Sequence, residues 1–174
     1  DNHSITQNGY AVGSYYGWKV AGIFQNQQEI DALNAQSPTG KYQDGDTAPG
    51  DFKYIDLNGD GQITDEDRTV IGNALPKWYG GITNTFNYKG IDFSFMLQFN
   101  YGNDIYNATR LYATQTNTQR RNQLAEVADR WSPTNASNKV PRYNGYVVND
   151  VYSRFVEDGS FLRLKNITLG YTLP

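Results

Sequence analysis

The stretch Ile91–Tyr101, IDFSFMLQFNY, limits the folds open to this chain more than any other. Ile91, Phe93, Phe95, Leu97, Phe99 and Tyr101 are apolar at every second position, with Asp92, Ser94, Gln98 and Asn100 between them; only Met96 departs. A period of two is the mark of a β-strand with one apolar face. The preceding stretch, WYGGITNTFNY, puts Trp78, Ile82, Phe86 and Tyr88 on one parity together with Gly80 and Asn84. Tyr79, Gly81, Thr83, Thr85 and Asn87 take the other. Lys89-Gly90 between the two stretches predicts a tight two-residue turn. The expectation is an antiparallel hairpin over residues 77–101.

Eleven residues at ~3.3 Å each, tilted by ~45°, rise about 25 Å, the height of the apolar band on a membrane-spanning barrel. The same hairpin would serve a soluble sandwich whose core takes the aromatic face, and alternation alone does not separate the two. The absence of an apolar run of ~18 residues excludes a membrane helix without touching the barrel reading. No secretory signal peptide is recognisable at Asp1.

Composition narrows the chemistry. The net charge of -3 makes a nucleic-acid partner unfavourable. There is no cysteine, so disulfides, thiolate metal sites and cysteine nucleophiles are excluded, and the single histidine, His3, sits in a polar terminal segment. A histidine zinc site or a Ser-His-Asp triad lacks its raw material. Asp44, Asp46, Asp51 and Glu157 are available for a glycosidase pair, but nothing in their spacing sets two across one cleft. No catalytic residue is assigned, and the chain is not read as an enzyme.

The remaining segments fall around the hairpin. Residues 10–24 put Tyr10, Val12, Tyr16, Trp18, Val20 and Phe24 on one parity and predict a strand. Residues 25–76 form a long insert: a helix starting at Asn26 with Glu29 three residues on, a loop over 34–50 with Pro38 and Pro49, and a short strand over 51–55. A second insert covers 102–157. In it Leu124, Val127, Ala128 and Trp131 predict a short amphipathic helix that Ser132-Pro133 ends. A final strand over 158–173 has Ile167, Leu169, Tyr171 and Leu173 on one parity but Leu162 and Leu164 on the other, which predicts a bulge near Lys165-Asn166. Both inserts then leave one end of the sheet and the tight turn closes the other. Outer-membrane barrels, with short periplasmic turns and long outer loops, share that asymmetry.

The first insert carries IDLNGDGQITDEDR. Asp56, Asn58 and Asp60 fill positions 1, 3 and 5 of an EF-type loop, Gly61 is at 6, the Gln62 carbonyl at 7, Thr64 at 9 and Asp67 at 12. Calcium, a hard cation, is held by such oxygens in a loop sharply turned at position 6. Asp67 is one methylene shorter than the usual glutamate at 12, as in dockerin loops, which this loop resembles. A strand rather than a helix precedes it, so the expected role of Ca2+ is a structural staple. The competing reading is a metal-free Asn-Gly/Asp-Gly turn.

With these residues set out, the chain resembles a known family. The stretches GSYYGWKVAGIFQNQQEIDALNA, PGDFKYIDLNGDGQITDEDRTVIGNALPKWYGGITNTFNYKGIDFSFMLQFNYGNDIYN, NQLAEVADRW and FVEDGSFLRLKNITLGYTLP are similar to the C-terminal part of SusC/RagA-type TonB-dependent outer-membrane transporters of Bacteroidetes. The likeness runs over residues 10–174. It implies a mainly β fragment of a transmembrane β-barrel in the bacterial outer membrane, with long loops carrying short helices. The whole transporter would take up oligosaccharides or peptides with a SusD-like lipoprotein on its outer face, outer-membrane lipid around it, and TonB bound to a part absent from this chain. A fragment alone is expected not to transport. Tyr101, Asn103, Asp104, Tyr106 and Asn107 are the set expected to face the ligand; the bland alternative is that they order the start of the insert. The alternative function is a calcium-stabilised dockerin-like or carbohydrate-binding module.

Overall fold

A computed structural model describes residues 4–115, 122–147 and 150–173. His3, and Arg120 and Arg121 at the start of the second insert's expected helix, lie outside them. The elements in chain order are β1 (Ser4–Ile5), β2 (Ser14–Gly17), β3 (Val20–Ile23), α1 (Gln27–Gln36), β4 (Phe52–Tyr54), β5 (Thr69–Gly72), β6 (Trp78–Tyr88), β7 (Ile91–Tyr101), β8 (Asp104–Tyr106), α2 (Ala108–Ala113), β9 (Val156–Asp158) and β10 (Phe161–Tyr171).

The hairpin forms as its alternation requires. β6 and β7 pair antiparallel in an unbroken register from Trp78↔Tyr101 to Tyr88↔Ile91. Lys89 and Gly90 both take positive φ, 46° and 82°, the signature of the type I′ turn whose twist matches that of the flanking strands. β10 adds to the other edge of β7, giving the order β10-β7-β6. Its register slips between Leu164 and Asn166. That bulge brings Leu162 and Leu164 onto the face of Ile167, Leu169 and Tyr171, resolving the parity conflict in the sequence.

The strand expected over 10–24 is not one strand. β2 pairs with β1 and β5, β3 pairs with β4, and Trp18 between them bridges to Tyr152. The chain is handed among three partners, so a single parity cannot hold: Ile23 and Phe24 are consecutive and both buried, while Tyr10 and Val12 stay exposed. Gly17 marks the first handover. A Cβ there would fall on the Val151 carbonyl, so only glycine allows that approach.

The two inserts fold into one shared cap. Ile23 of β3 and Phe52 of the first insert meet Leu111, Tyr146, Tyr152 and Phe155 of the second in one core. Phe52 stacks on Tyr146 at 5.1 Å between centroids and meets Tyr152 edge-on at 5.4 Å. Each such ring contributes ~1.5–3 kcal/mol by burial, so the cap has a core of its own. Backbone bonds tie the second insert to both the 10–24 segment and the first insert: Trp18 N–H donates to the Val151 carbonyl at 2.8 Å, Ser153 N–H to the Trp18 carbonyl at 2.9 Å and Phe52 N–H to the Gly145 carbonyl at 3.1 Å. Burial pushes the phenols of Tyr54 and Tyr106 up to about 12, so they stay neutral at physiological pH.

Helix α1 begins where the sequence places it. The Asn26 side chain accepts from Glu29 N–H at 3.0 Å, and Ile30 is the residue it buries. The helix expected around Leu124–Trp131 is instead a 3₁₀ segment over Ala125–Asp129 in which only Val127 is buried. Leu124 stays exposed. At i, i+3 spacing, one buried residue needs no longer helix. Helix α2 follows the Asn107 side chain, which caps it by accepting from Arg110 N–H at 2.8 Å. Arg110 in turn grips Glu126 through two bonds of 2.9 Å, which holds the Glu126 carboxyl below its usual range.

Candidate functional site

The β10-β7-β6 sheet is a wall with two unlike faces. Register places Tyr88, Phe86, Ile82 and Trp78 of β6 beside Ile91, Phe93, Leu97 and Tyr101 of β7. Tyr171, Leu169, Ile167, Leu164 and Leu162 of β10 lie beyond Ile91, Phe93, Phe95, Leu97 and Phe99. Gly80 on this face lies under the Phe99 ring, and Asn84 is the one polar side chain β6 places there. The opposite face carries Thr83, Thr85, Asn87, Asp92, Ser94, Gln98, Asn100, Arg163, Asn166 and Thr168, with Tyr79, Met96 and Phe161 as its large apolar side chains.

The apolar face is uncovered. Ile82, Leu162, Leu164, Ile167 and Leu169 are all exposed, Leu169 at 73%. Three strands of eleven residues make a footprint of roughly 500 Å² at ~3.3 Å per residue and ~4.8 Å per strand. A soluble monomer's largest apolar patch is about 300–600 Å², and this one is continuous and lacks charged side chains. Aromatic rings close it at both ends: Trp78 with Tyr101, and Tyr88 with Tyr171. Amphipathic rings of this kind sit where hydrocarbon meets headgroups.

The acidic loop is a second candidate site. Asp56 Oδ1 accepts from Gly59 N–H at 2.6 Å and its Oδ2 from Gly61 N–H at 2.8 Å. Asn58 Oδ1 accepts from Asp60 N–H at 2.9 Å, and Asp60 Oδ1 from Gln62 N–H at 2.8 Å. Gly61 takes the positive φ of 81° that a sharp turn at loop position 6 needs. Asp67 is fully buried; its Oδ1 accepts from Leu57 N–H and its Oδ2 from Thr64 N–H, each at 2.8 Å. Each of these oxygens has a second lone pair, so the donors suit a hard cation in kind and in turn geometry. Among the described residues, however, no three histidine, aspartate or glutamate side chains lie close enough together to hold a metal ion. These hydrogen bonds span the loop, and the Thr64 side chain caps the 3₁₀ turn over Asp65–Asp67. A hydroxyl of Thr39 bonds the Gln62 side chain, and Ile63 N–H bonds Tyr42, which docks the loop on the cap.

The residues expected to face a ligand are mostly turned to the chain itself. Asn103 is buried and accepts from Asn100 Nδ2 at 3.0 Å; Asp104 Oδ2 accepts from Asn73 N–H at 2.8 Å. Tyr106 packs against the cap core, and Asn107 caps α2 while donating to both oxygens of Glu157. Tyr101 alone of the set keeps a mostly exposed ring, at 60%. The topology does bring acids together where spacing could not show it. Asp44, Asp46, Asp51 and Asp150 line one cleft with Trp18 and Tyr54, although Asp51 is held by two bonds from Arg142, and Glu157 lies elsewhere, beside Arg110.

The chain is 39% identical over 168 residues to TonB-dependent receptor P26 of Formosa agariphila, covering 95% of the chain and 16% of that receptor. It is 35% identical over 170 residues to TonB-dependent receptor P3 of the same organism, at 98% and 16% coverage. To TonB-dependent receptor SusC of Bacteroides thetaiotaomicron it is 30% identical over 125 residues, 71% of the chain and 12% of that protein. In structure it is similar to a chain of the RagAB peptide transporter, with a TM-score of 0.68 at 20% identity over 99% of the chain and 18% of that one, a likeness of fold. No protein-family profile matches.

Proposed function

Since this chain belongs to the TonB-dependent receptors, as a segment spanning 16% of the length of receptors P26 and P3 of Formosa agariphila, we propose that β6, β7 and β10 are neighbouring staves of an outer-membrane barrel. The cap built from the two inserts stands on its outer rim. The whole protein imports a nutrient, an oligosaccharide or a peptide, with a SusD-like lipoprotein over the cap and TonB engaged through another part of the protein. The observation that carries this reading is the continuous apolar face of three eleven-residue strands, closed by aromatic rings at both ends and backed by a polar face. A water-soluble binding module would have to cover that face.

Growth on a panel of oligosaccharides and peptides as sole carbon sources tests the import role. Deleting the gene for the whole receptor should abolish growth on at least one at limiting concentration, with growth at high concentration retained. Unchanged growth across the panel would count against import.

Within the cap, the reading includes a calcium ion held by Asp56, Asn58, Asp60, the Gln62 carbonyl, Thr64 and Asp67. The donor chemistry and the glycine-turned loop support it. The ion's part would be to cross-link the loop; import chemistry would not pass through it. Titration calorimetry of chelator-treated receptor should show calcium binding that Asp60→Ala weakens at least tenfold, with a matching drop in the melting temperature gained from calcium. No heat and no thermal shift would leave the loop as a hydrogen-bonded turn.

A further inference from the structure

We propose that Asn84 is one half of a polar clasp inside the bilayer, its amide bonding a neutral hydroxyl or amide side chain of the stave that pairs with the free edge of β6. The inference rests on the barrel reading, in which the face carrying Asn84 meets lipid. Among the described residues β6 pairs with β7 alone, in the order β10-β7-β6. Closing a barrel abolishes free edges, and this chain spans 16% of the length of receptors P26 and P3. A stave from the rest of the receptor therefore lies along the other edge of β6.

Depth sets Asn84 apart from the other polar side chains of the wall. It stands six residues from Trp78 and four from Tyr88. At ~3.3 Å per residue and a tilt of ~45°, it lies about 14 Å from one aromatic girdle and about 9 Å from the other. An asparagine side chain is too short to reach the headgroups from there. Its neighbours on β6 and β7 are all apolar. Register sets Phe95 directly opposite, with Phe93 and Leu97 on the diagonals, and Ile82 and Phe86 flank it on its own strand. The rings of Phe86, Phe93 and Phe95 cluster beside it, with centroids 6.2, 6.3 and 5.9 Å apart. Among the described residues the Asn84 side chain makes no hydrogen bond.

An amide has two donors and an acceptor, and hydrocarbon leaves all of them unmet. The free edge of β6 is the direction left. A side chain directly across an antiparallel pair has its Cβ ~4.5–5.5 Å away, within reach of one hydrogen bond. A carboxylate or ammonium at this depth would put a charge on the lipid face, so the partner is serine, threonine, asparagine or glutamine. A second copy of the receptor fits the face less well. Close association in lipid depends on small residues that let backbones approach, and the gap that Gly80 leaves on this strand is filled by the Phe99 ring. The clasp would also fix register, because a slip of one residue turns the partner side chain to the lumen.

The test uses the whole receptor in its membrane, in a background without other cysteines. Asn84→Cys is combined with single cysteines along the membrane stave next upstream in the receptor's sequence. Disulfide formation should peak at one position, where the natural residue is serine, threonine, asparagine or glutamine. A peak at an apolar residue, a link between two receptor copies, or no peak in an inserted receptor would overturn the clasp. Heat-modifiable mobility gives a second readout. Asn84→Leu should lower the temperature at which the barrel unfolds, and leucine at the partner position as well should restore it, since nothing polar is then left unpaired. A rise in that temperature with Asn84→Leu alone would show an amide facing hydrocarbon and overturn the proposal. A receptor found in the soluble fraction removes the barrel reading itself, whereas an inserted receptor with none of these effects removes the clasp alone.

Discussion

Replacing Leu97 by arginine should strip the folded whole receptor from the outer membrane, while arginine at Ser94 should leave it there. Leu97 lies near mid-strand in the row Ile82–Leu97–Leu164, with apolar neighbours on both sides. Arginine at the midplane of a barrel's lipid face costs ~2–4 kcal/mol. A stability of that size is a large fraction of what most folded proteins possess. Ser94 lies three residues away in the row Thr85–Ser94–Thr168, on the polar face, where a cation can remain hydrated. Surface amount and heat-modifiable mobility of the two variants measure the difference. Equal loss at both positions, or at neither, would contradict the assignment of faces.

Asp67→Ala should loosen the cap more than any other substitution in the acidic loop. The Asp67 carboxylate is fully buried and joins both ends of the loop, from Leu57 N–H at one side to Thr64 N–H at the other. Alanine would take the shared acceptor from the N–H groups of Leu57, Asn58 and Thr64; those residues are exposed enough for water to replace part of it, so the loss is about 1–3 kcal/mol. Asp60→Ala should cost far less without metal, because Asp60 is exposed and accepts from one loop N–H, that of Gln62, at 2.8 Å. Limited proteolysis in chelator is the measurement. Rapid cleavage between residues 40 and 76 in Asp67→Ala, with Asp60→Ala close to wild type, is the expected pattern. Equal resistance of both variants would show that the loop does not hold the cap together.

What the sequence revealed, and what it hid, divides by range. The hairpin, its Lys89-Gly90 turn, the bulge beside Lys165 and the Asn26 cap of α1 each depend on residues close in sequence or on one strand partner, so local periodicity exposed them. The course of residues 10–24 depends on Val151, Tyr152 and Phe52, far away in sequence, and no local pattern announces such partners. Helix α2 was legible in principle, since Asn107 stands at its cap, but its six residues are too short to show an apolar stripe. The loop after Tyr101 allowed two readings from sequence, a ligand-facing set or residues that order the start of the insert. Asn103, Asp104 and Asn107 are as useful for closing turns as for binding a ligand, and here their hydrogen bonds go to the chain.

The outward face of β7 can be measured position by position. Spin labels placed singly at residues 92 to 100 of the whole receptor, reconstituted in lipid bilayers, report contact with oxygen dissolved in hydrocarbon and with a nickel chelate dissolved in water. Oxygen contact should rise at 93, 95, 97 and 99 and fall at 92, 94, 96, 98 and 100, with the chelate following the opposite pattern. Accessibility without a period of two, or high chelate contact at Phe95 and Leu97, would mean that these side chains do not face lipid.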